Sequence, residues 1–272
     1  MNKLMTANFA RLKKNKVFWI SMAFMFAAGA SSVIMKLIND PTATADQQIL
    51  IFPVYIGIVS AAFCSLYIGT EYSDGTIRNK LIVGHARSAV YLSNFITCSA
   101  AGIAMCLSYV AAVAVLGLPL LGLSQMRMEV LAALILVAFM MVIATTALLT
   151  LLCMLNQNKA TAAVICILSI VALLVLATMI NAKLAAPQYF DSYVFTDSLD
   201  GAMTGQLVNP RYLTGTKREI YQFLLDFLPT GQAVEISMQS TPHLWLMPLY
   251  SLVITLVSTG CGLICFRKKD LK

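Results

Sequence analysis

The sequence predicts an all-α integral membrane protein, on three observations. Of its 272 residues, 59% are hydrophobic and only 11% charged, and the mean hydropathy is +0.80. A soluble domain carries roughly 25% charged residues. The apolar residues fall into runs of the roughly 20 residues that a helix needs to cross the hydrocarbon core with its backbone paired. These runs are continuous rather than alternating, which excludes barrel strands.

Six runs qualify as transmembrane helices, at about 17–38, 49–70, 95–118, 130–155, 161–181 and 244–266. The first follows a basic head, Lys3, Arg11, Lys13, Lys14 and Lys16, which a signal peptide would also show. The run is too long for an ordinary signal core and five more spans follow, so an uncleaved first helix is expected. All seven cysteines, Cys64, Cys98, Cys106, Cys153, Cys166, Cys261 and Cys265, fall inside spans. They behave as small apolar residues, with neither a disulfide framework nor a C-x-x-C pair.

Lysine and arginine mark the cytoplasmic side of such a chain. With the N-terminus inside, the basic head, Arg78, Lys80, Arg87, Lys159 and the tail Arg267, Lys268, Lys269 and Lys272 lie inside. Lys36, Arg127, Lys183, Arg211, Lys217 and Arg218 remain outside. Both termini are therefore expected in the cytoplasm of a multi-pass plasma-membrane protein. The formal charge of +7 does not point to nucleic acid, because the basic residues sit beside spans and face anionic headgroups.

The loops are unequal. "NQNKAT" after the fourth span is minimal, whereas residues 182–243 form an outer loop too long for a mere connection. Within it "GTKREIYQFLLDFLPTGQ" puts Ile220, Phe223, Leu224 and Phe227 at helical spacing. A short amphipathic helix is expected there, on the outer leaflet, stopped by Pro229.

The longest polar interruption in the first half is "EYSDGTIRNKLIVGHARSAVYL", Glu71 to Leu92. Ser73 or Asp74 can cap a short helix, Ile77, Leu81 and Ile82 form its apolar edge, and Gly84 ends it. Glu71 and Asp74 are expected to pair with Arg78. Such a helix, lying across the ends of two spans, can dock in a groove on a soluble partner. A basic loop that only sets topology is the alternative, but it would not require the acids.

"GTEYSDGTIRNKLIVGHARSAVYL" resembles the cytoplasmic segment between the second and third spans of ABC exporter permeases, the six-span type V (ABCG-like) class. "LPTGQAVEISM" before the last span and the terminal "FRKKDLK" are similar to that class as well. The resemblance implies a single transmembrane permease domain over 1–272, with a coupling segment at 71–93 and short extracellular helices before the last span. Its ATPase-coupling residues would be Glu71, Ser73, Asp74, Gly75, Thr76, Ile77, Arg78, Asn79 and Leu81. It also implies an interfacial N-terminal helix within 1–16, with Leu4, Met5, Phe9 and Leu12 on one face, that touches the ATPase.

Chemistry on the chain itself is not expected. "LTGTKRE" around Gly215 lacks the first glycine and the Lys-Ser/Thr pair of a phosphate-binding loop. His85 and His243 lie on opposite sides of the membrane, and no H-E-x-x-H occurs. No catalytic residue, metal ligand or cofactor is assigned to this chain; ATP and Mg belong to the partner. Lys36 and Lys183 sit near span ends where they can snorkel, so ion coupling is disfavoured. The small residues "AAGASS", Ala27 to Ser32, suit close helix approach, within the chain or between copies.

The reading is a permease that pairs with itself or a related chain and with two copies of a soluble ABC ATPase. It would export an amphipathic compound such as a peptide antibiotic, drug or lipid-like molecule. The rival reading is a membrane sensor or scaffold, with a ligand-binding outer loop and a signalling cytoplasmic segment. The topology is checked by labelling intact cells with a membrane-impermeant thiol reagent. Ser198→Cys should be marked and Ser73→Cys spared, and the reverse pattern would overturn the orientation.

Overall fold

The computed structural model describes residues 1–39, 44–122, 126–194 and 202–270. Ser198 and Lys272 lie outside the described residues. A short helix, α1 (Asn2–Lys14), precedes the first span, α2 (Lys16–Asn39). The second span combines α3 (Ala45–Ile49) with α4 (Phe52–Ser73), and the short helix α5 (Thr76–Ile82) follows it. The remaining spans are α6 (Arg87–Leu121), α7 (Met128–Leu155), α8 (Lys159–Leu184) and α11 (Met247–Lys268). Among the described residues six helices are thus long and apolar enough to cross a membrane, as expected of a multi-pass all-α protein.

The third span begins earlier than expected. "RSAVYLSN" is helical from Arg87, about two turns before Phe95, so the basic stretch after α5 belongs to a span rather than a loop. The link between α7 and α8 is as short as expected. Asn158 caps α8, its side-chain oxygen accepting from Ala160 N at 2.9 Å.

Hydrocarbon supplies no solvophobic force between spans, so close shape fit and internal hydrogen bonds hold them together. α4 lies at the centre, packed on α2, α6, α7 and α8, with Phe63 and Tyr67 stacked at 5.3 Å between ring centres. α2 approaches α6 closely because Gly29 leaves room; a Cβ there would come within 2.8 Å of the Tyr109 carbonyl oxygen. Tyr109 also donates its hydroxyl to Ser32 Oγ at 3.1 Å. Within the small-residue stretch Ala27 to Ser32, Gly29 and Ser32 therefore pack inside the chain, while Ala27 and Ser31 are exposed.

Both termini lie at one end of the bundle. Arg87 donates to the carbonyl of Phe266 at 3.1 Å, Gln157 to that of Asp270 at 2.8 Å, and Arg11 of α1 reaches Glu71 at the end of α4.

The far end carries the long loop. A two-stranded antiparallel hairpin opens it, β1 (Tyr189–Val194) against β2 (Ala202–Val208), an element the hydropathy pattern did not announce. The expected amphipathic helix is present as α9 (Gly215–Phe227). Pro229, expected only to stop it, instead sits in the first turn of another helix, α10 (Pro229–Ser237), where its missing N–H leaves no bond unmade. Every residue from Pro229 to Ile236 is buried, and α10 packs against α4, α7 and α8. Gly231 allows the tight corner, since a Cβ would overlap the Leu225 backbone.

α11 meets α6 through Gly262, where a Cβ would run into the buried Tyr91 side chain. Overpacking a fitted contact costs about 1–3 kcal/mol. Gly262→Leu should lower the unfolding temperature in detergent. Gly260→Leu, with open space around it, should leave that temperature unchanged.

Candidate functional site

At the terminus-bearing end, the chain leaves α4 through Asp74 and turns at Gly75, whose φ of 65° suits a residue without Cβ. α5 follows and is closed by a Schellman turn. Gly84 N bonds Leu81 O at 3.0 Å and His85 N bonds Lys80 O at 3.1 Å, with Gly84 at φ 93°. These two glycines fix how α5 lies across the ends of α4 and α6.

Glu71, in the last turn of α4, is 1% exposed. A buried carboxylate is costly unless paired and hydrogen-bonded. Three side chains from three other elements satisfy it: Arg11 of α1, Lys80 of α5, and Asn94 of α6, which donates to Oε2 at 2.7 Å. Asn8 of α1, also 1% exposed, completes the cluster. Its amide donates to Asn94 Oδ1 at 3.0 Å and Ser93 Oγ at 3.2 Å, and its Oδ1 accepts from Lys80 Nζ at 2.9 Å.

Tyr67, one turn before Glu71, binds α1 twice. Its hydroxyl donates to Asn8 O at 3.0 Å, and the Arg11 guanidinium lies 3.9 Å from its ring centre while bonding its carbonyl. One polar cluster thus ties the N-terminal helix, the short helix α5 and two spans together.

Several sequence expectations change here. Glu71 and Asp74 were expected to pair with Arg78, but Arg78 is exposed and makes no ion pair among the described residues. Arg11 and Lys80 hold Glu71 instead, because they reach the inner side of α5 whereas Arg78 lies on its outer side. Ser73 belongs to α4, its Oγ bonding Thr70 O at 3.1 Å, and Asp74 closes that helix, so neither side chain caps α5. Ile77, expected on a docking edge, is 1% exposed and packs in the chain's own core, with Leu81 partly buried against it.

The apolar residues that α5 does present are Ile82 and Val83, 73% and 78% exposed, beside exposed Arg78 and Asn79. An open groove of about 280 Å³ separates α5 from α1, lined by Lys3, Leu4, Ala7, Thr76, Asn79, Lys80, Val83 and His85. The α1 stripe is Leu4, Asn8 and Leu12, all buried, with Phe9 partly buried beside it. Sequence reasoning missed Asn8, Tyr67 and Asn94 as site residues and counted Arg11 and Lys80 only as topology charges. Asn8 offered a signal, being a polar residue at the centre of an apolar 4-8-12 stripe.

The same end holds the C-terminal segment. Lys269 donates to Met154 O at 2.9 Å and Tyr72 OH at 3.3 Å, and Tyr72 donates to the same carbonyl at 2.6 Å. Burial pushes the Lys269 ammonium down to about 8. At the far end, Ile220, Phe223 and Leu224 of α9 are exposed, whereas Phe227, expected on the same edge, is partly buried. Phe223 and Phe227 stack at 5.7 Å and both meet the Tyr250 ring.

The family model described as ABC-2 family transporter protein matches residues 4–175. The chain belongs to that family: it is an ABC transporter permease, and membership implies a partner ABC ATPase. A search of curated proteins gave no match. The matched segment contains every member of the Glu71 cluster, whereas α9, α10 and α11 lie beyond it.

Removing one partner of a buried, hydrogen-bonded charge cluster costs about 3–5 kcal/mol. Glu71→Ala should therefore sharply lower thermal stability in detergent and expose α1 to protease. Glu71→Gln keeps a hydrogen-bonding side chain at the centre and should lose less. Ile77→Asp should destabilise the chain itself, while Ile82→Asp should not.

Proposed function

We propose that the chain is the permease subunit of an ATP-driven exporter of the six-span type V class, and that α5 is its coupling helix. The observation that carries this reading is the Glu71 cluster, in which a short helix with an exposed tip is bonded rigidly to α1, α4 and α6. A push on α5 is then delivered to two spans together rather than absorbed by a loop. The lysine and arginine bias supports placing this end, with both termini, in the cytoplasm of a plasma-membrane protein.

The docking surface in this reading is Arg78, Asn79, Ile82 and Val83, with the groove toward α1 beside it. Two ATPase copies and a second permease, identical or related, would complete the complex. Closure of the ATPase pair on ATP would bring the coupling helices together, shutting a cytoplasmic cavity and opening an exit at the far end, beside α10. Spans rich in Leu, Met, Ala and Val suit an amphipathic cargo. ATP and Mg would act on the partner subunit.

Truncating or charging a well-packed apolar anchor costs 2 kcal/mol or more, about a 30-fold loss of affinity. Ile82→Asp and Val83→Asp should keep wild-type expression and thermal stability yet lose ATPase copurification and transport together. The measurement is pull-down of the ATPase from detergent-solubilised membranes at matched permease levels. Recovery equal to wild type would remove α5 as the coupling element. A sensor or scaffold would bind no ATPase in either form.

A further inference from the structure

The far-end corner between α9 and α10 holds a second buried polar group, built from residues outside the Glu71 cluster. Asp226, at the end of α9, is 2% exposed, and Glu235, in α10, is 3% exposed. The Gln222 amide donates to both, to Asp226 Oδ1 at 2.8 Å and to Glu235 Oε1 at 2.6 Å. Asp226 Oδ2 meets His243 Nδ1 at 2.8 Å, and the His243 side chain is half exposed. Glu235 Oε2 is buried, and no donor among the described residues reaches it.

Two carboxylates in one buried site, bridged by a single amide, cannot both hold a charge without a second donor or a cation. No cation among the described residues bonds Glu235. The other ionisable groups of the surrounding elements make no bond to Glu235 among the described residues. On α9, Arg218 and Glu219 line the same cleft as Asp226, Arg218 lying over the Tyr212 ring with its Nη1 buried and unbonded among the described residues, and Lys217 is exposed. Lys183 of α8 is held on Tyr221, Tyr55 of α4 faces Tyr109, and Glu129 of α7 pairs with Arg127 at the surface. Tyr250 of α11 packs on Phe223 and Phe227.

We propose that Asp226 and Glu235 form a one-proton site, with the proton on Glu235 Oε2, and that His243 connects this site to solvent at the far end. Removing the proton places a second negative charge in the corner that seats α10 against α4, α7 and α8, and so loosens α10. Burial first, and then the Asp226 charge, pushes the Glu235 carboxyl up to about 8. His243, Asp226 and Gln222 line an open cleft of about 610 Å³ that gives the proton its way out. This inference is independent of the coupling role of α5.

The sign of the effect follows from the raised value. The folded state binds the Glu235 proton more tightly than the unfolded chain does, so this contribution is complete below the ordinary carboxylate range. It is lost as pH rises through about 8. Infrared spectra of the full chain in nanodiscs, titrated from pH 6 to about pH 10 to bracket that value, should show a protonated-carboxyl band that disappears near pH 8. The band should be absent in Glu235→Gln and should shift its midpoint to lower pH in Asp226→Asn.

Amide exchange in residues 229–237, corrected for intrinsic rates, should accelerate about tenfold across the same range in wild type and not in Glu235→Gln. A wild-type spectrum with no such band above pH 6 would overturn the one-proton site without calling on any variant. Equal exchange at both pH values would overturn the loosening of α10. Retention of the band in Glu235→Gln would assign the proton elsewhere.

Discussion

The carboxylate of Glu71 is the group around which the terminus-bearing end is arranged. A charge that is 1% exposed beside an apolar bundle must be matched by donors, and the nearby hydroxyls of its own helix, Tyr67, Thr70, Tyr72 and Ser73, bond elsewhere. The donors come from α1, α5 and α6, so meeting the needs of one group fixes the position of three elements on a fourth. Arg11 and Lys80 bring more positive charge than the carboxylate can balance. The Tyr67 ring and carbonyl and the Asn8 amide oxygen take up the remainder. Because these partners are shared, the cluster behaves as one unit, and no member can move without stranding another.

The far end solves a different problem. There α10 carries three polar side chains, Thr230, Gln232 and Glu235, into buried positions, and of these Glu235 keeps an oxygen that no donor among the described residues reaches. Gln232 donates to Asp226 O at 2.8 Å and accepts from Ser251 Oγ at 2.8 Å, which ties α10 to α9 and α11 by neutral bonds insensitive to pH. Glu235 has one such bond, from Gln222 to Oε1, and in the proposed site its Oε2 depends on its own proton. One end of the bundle is thus held by opposite charges and the other by a protonation state, so the two ends differ in what can loosen them.

Much of this was legible in the sequence and some was not, for identifiable reasons. Spans were readable because bilayer thickness imposes a length on apolar runs, and Gly84 was readable as a stop because a left-handed turn selects for glycine. α9 was readable from the spacing of Ile220, Phe223, Leu224 and Phe227. Pro229 misled, since proline ends one helix and begins another equally well. Ile77 misled too: on a helix of two turns, the apolar edge that meets the chain's own core and the edge left for a partner are both apolar. Only packing shows that Ile77 faces inward and that Ile82 and Val83 face out.

What the sequence by itself determined is what depends on local chemistry: six apolar spans, their polar interruptions, the bias of lysine and arginine, and the absence of a phosphate-binding loop. These follow from solvation and backbone geometry, which each segment meets alone. Tertiary structure decided the pairings. Arg11 meets Glu71 across 60 positions of sequence, and Asn8 meets Asn94 across 86, because α1 folds back along α6. Asp226 and Glu235 become one site because the chain turns at Leu228. No periodicity encodes such contacts, since they arise from which faces remain to be buried once the spans have packed.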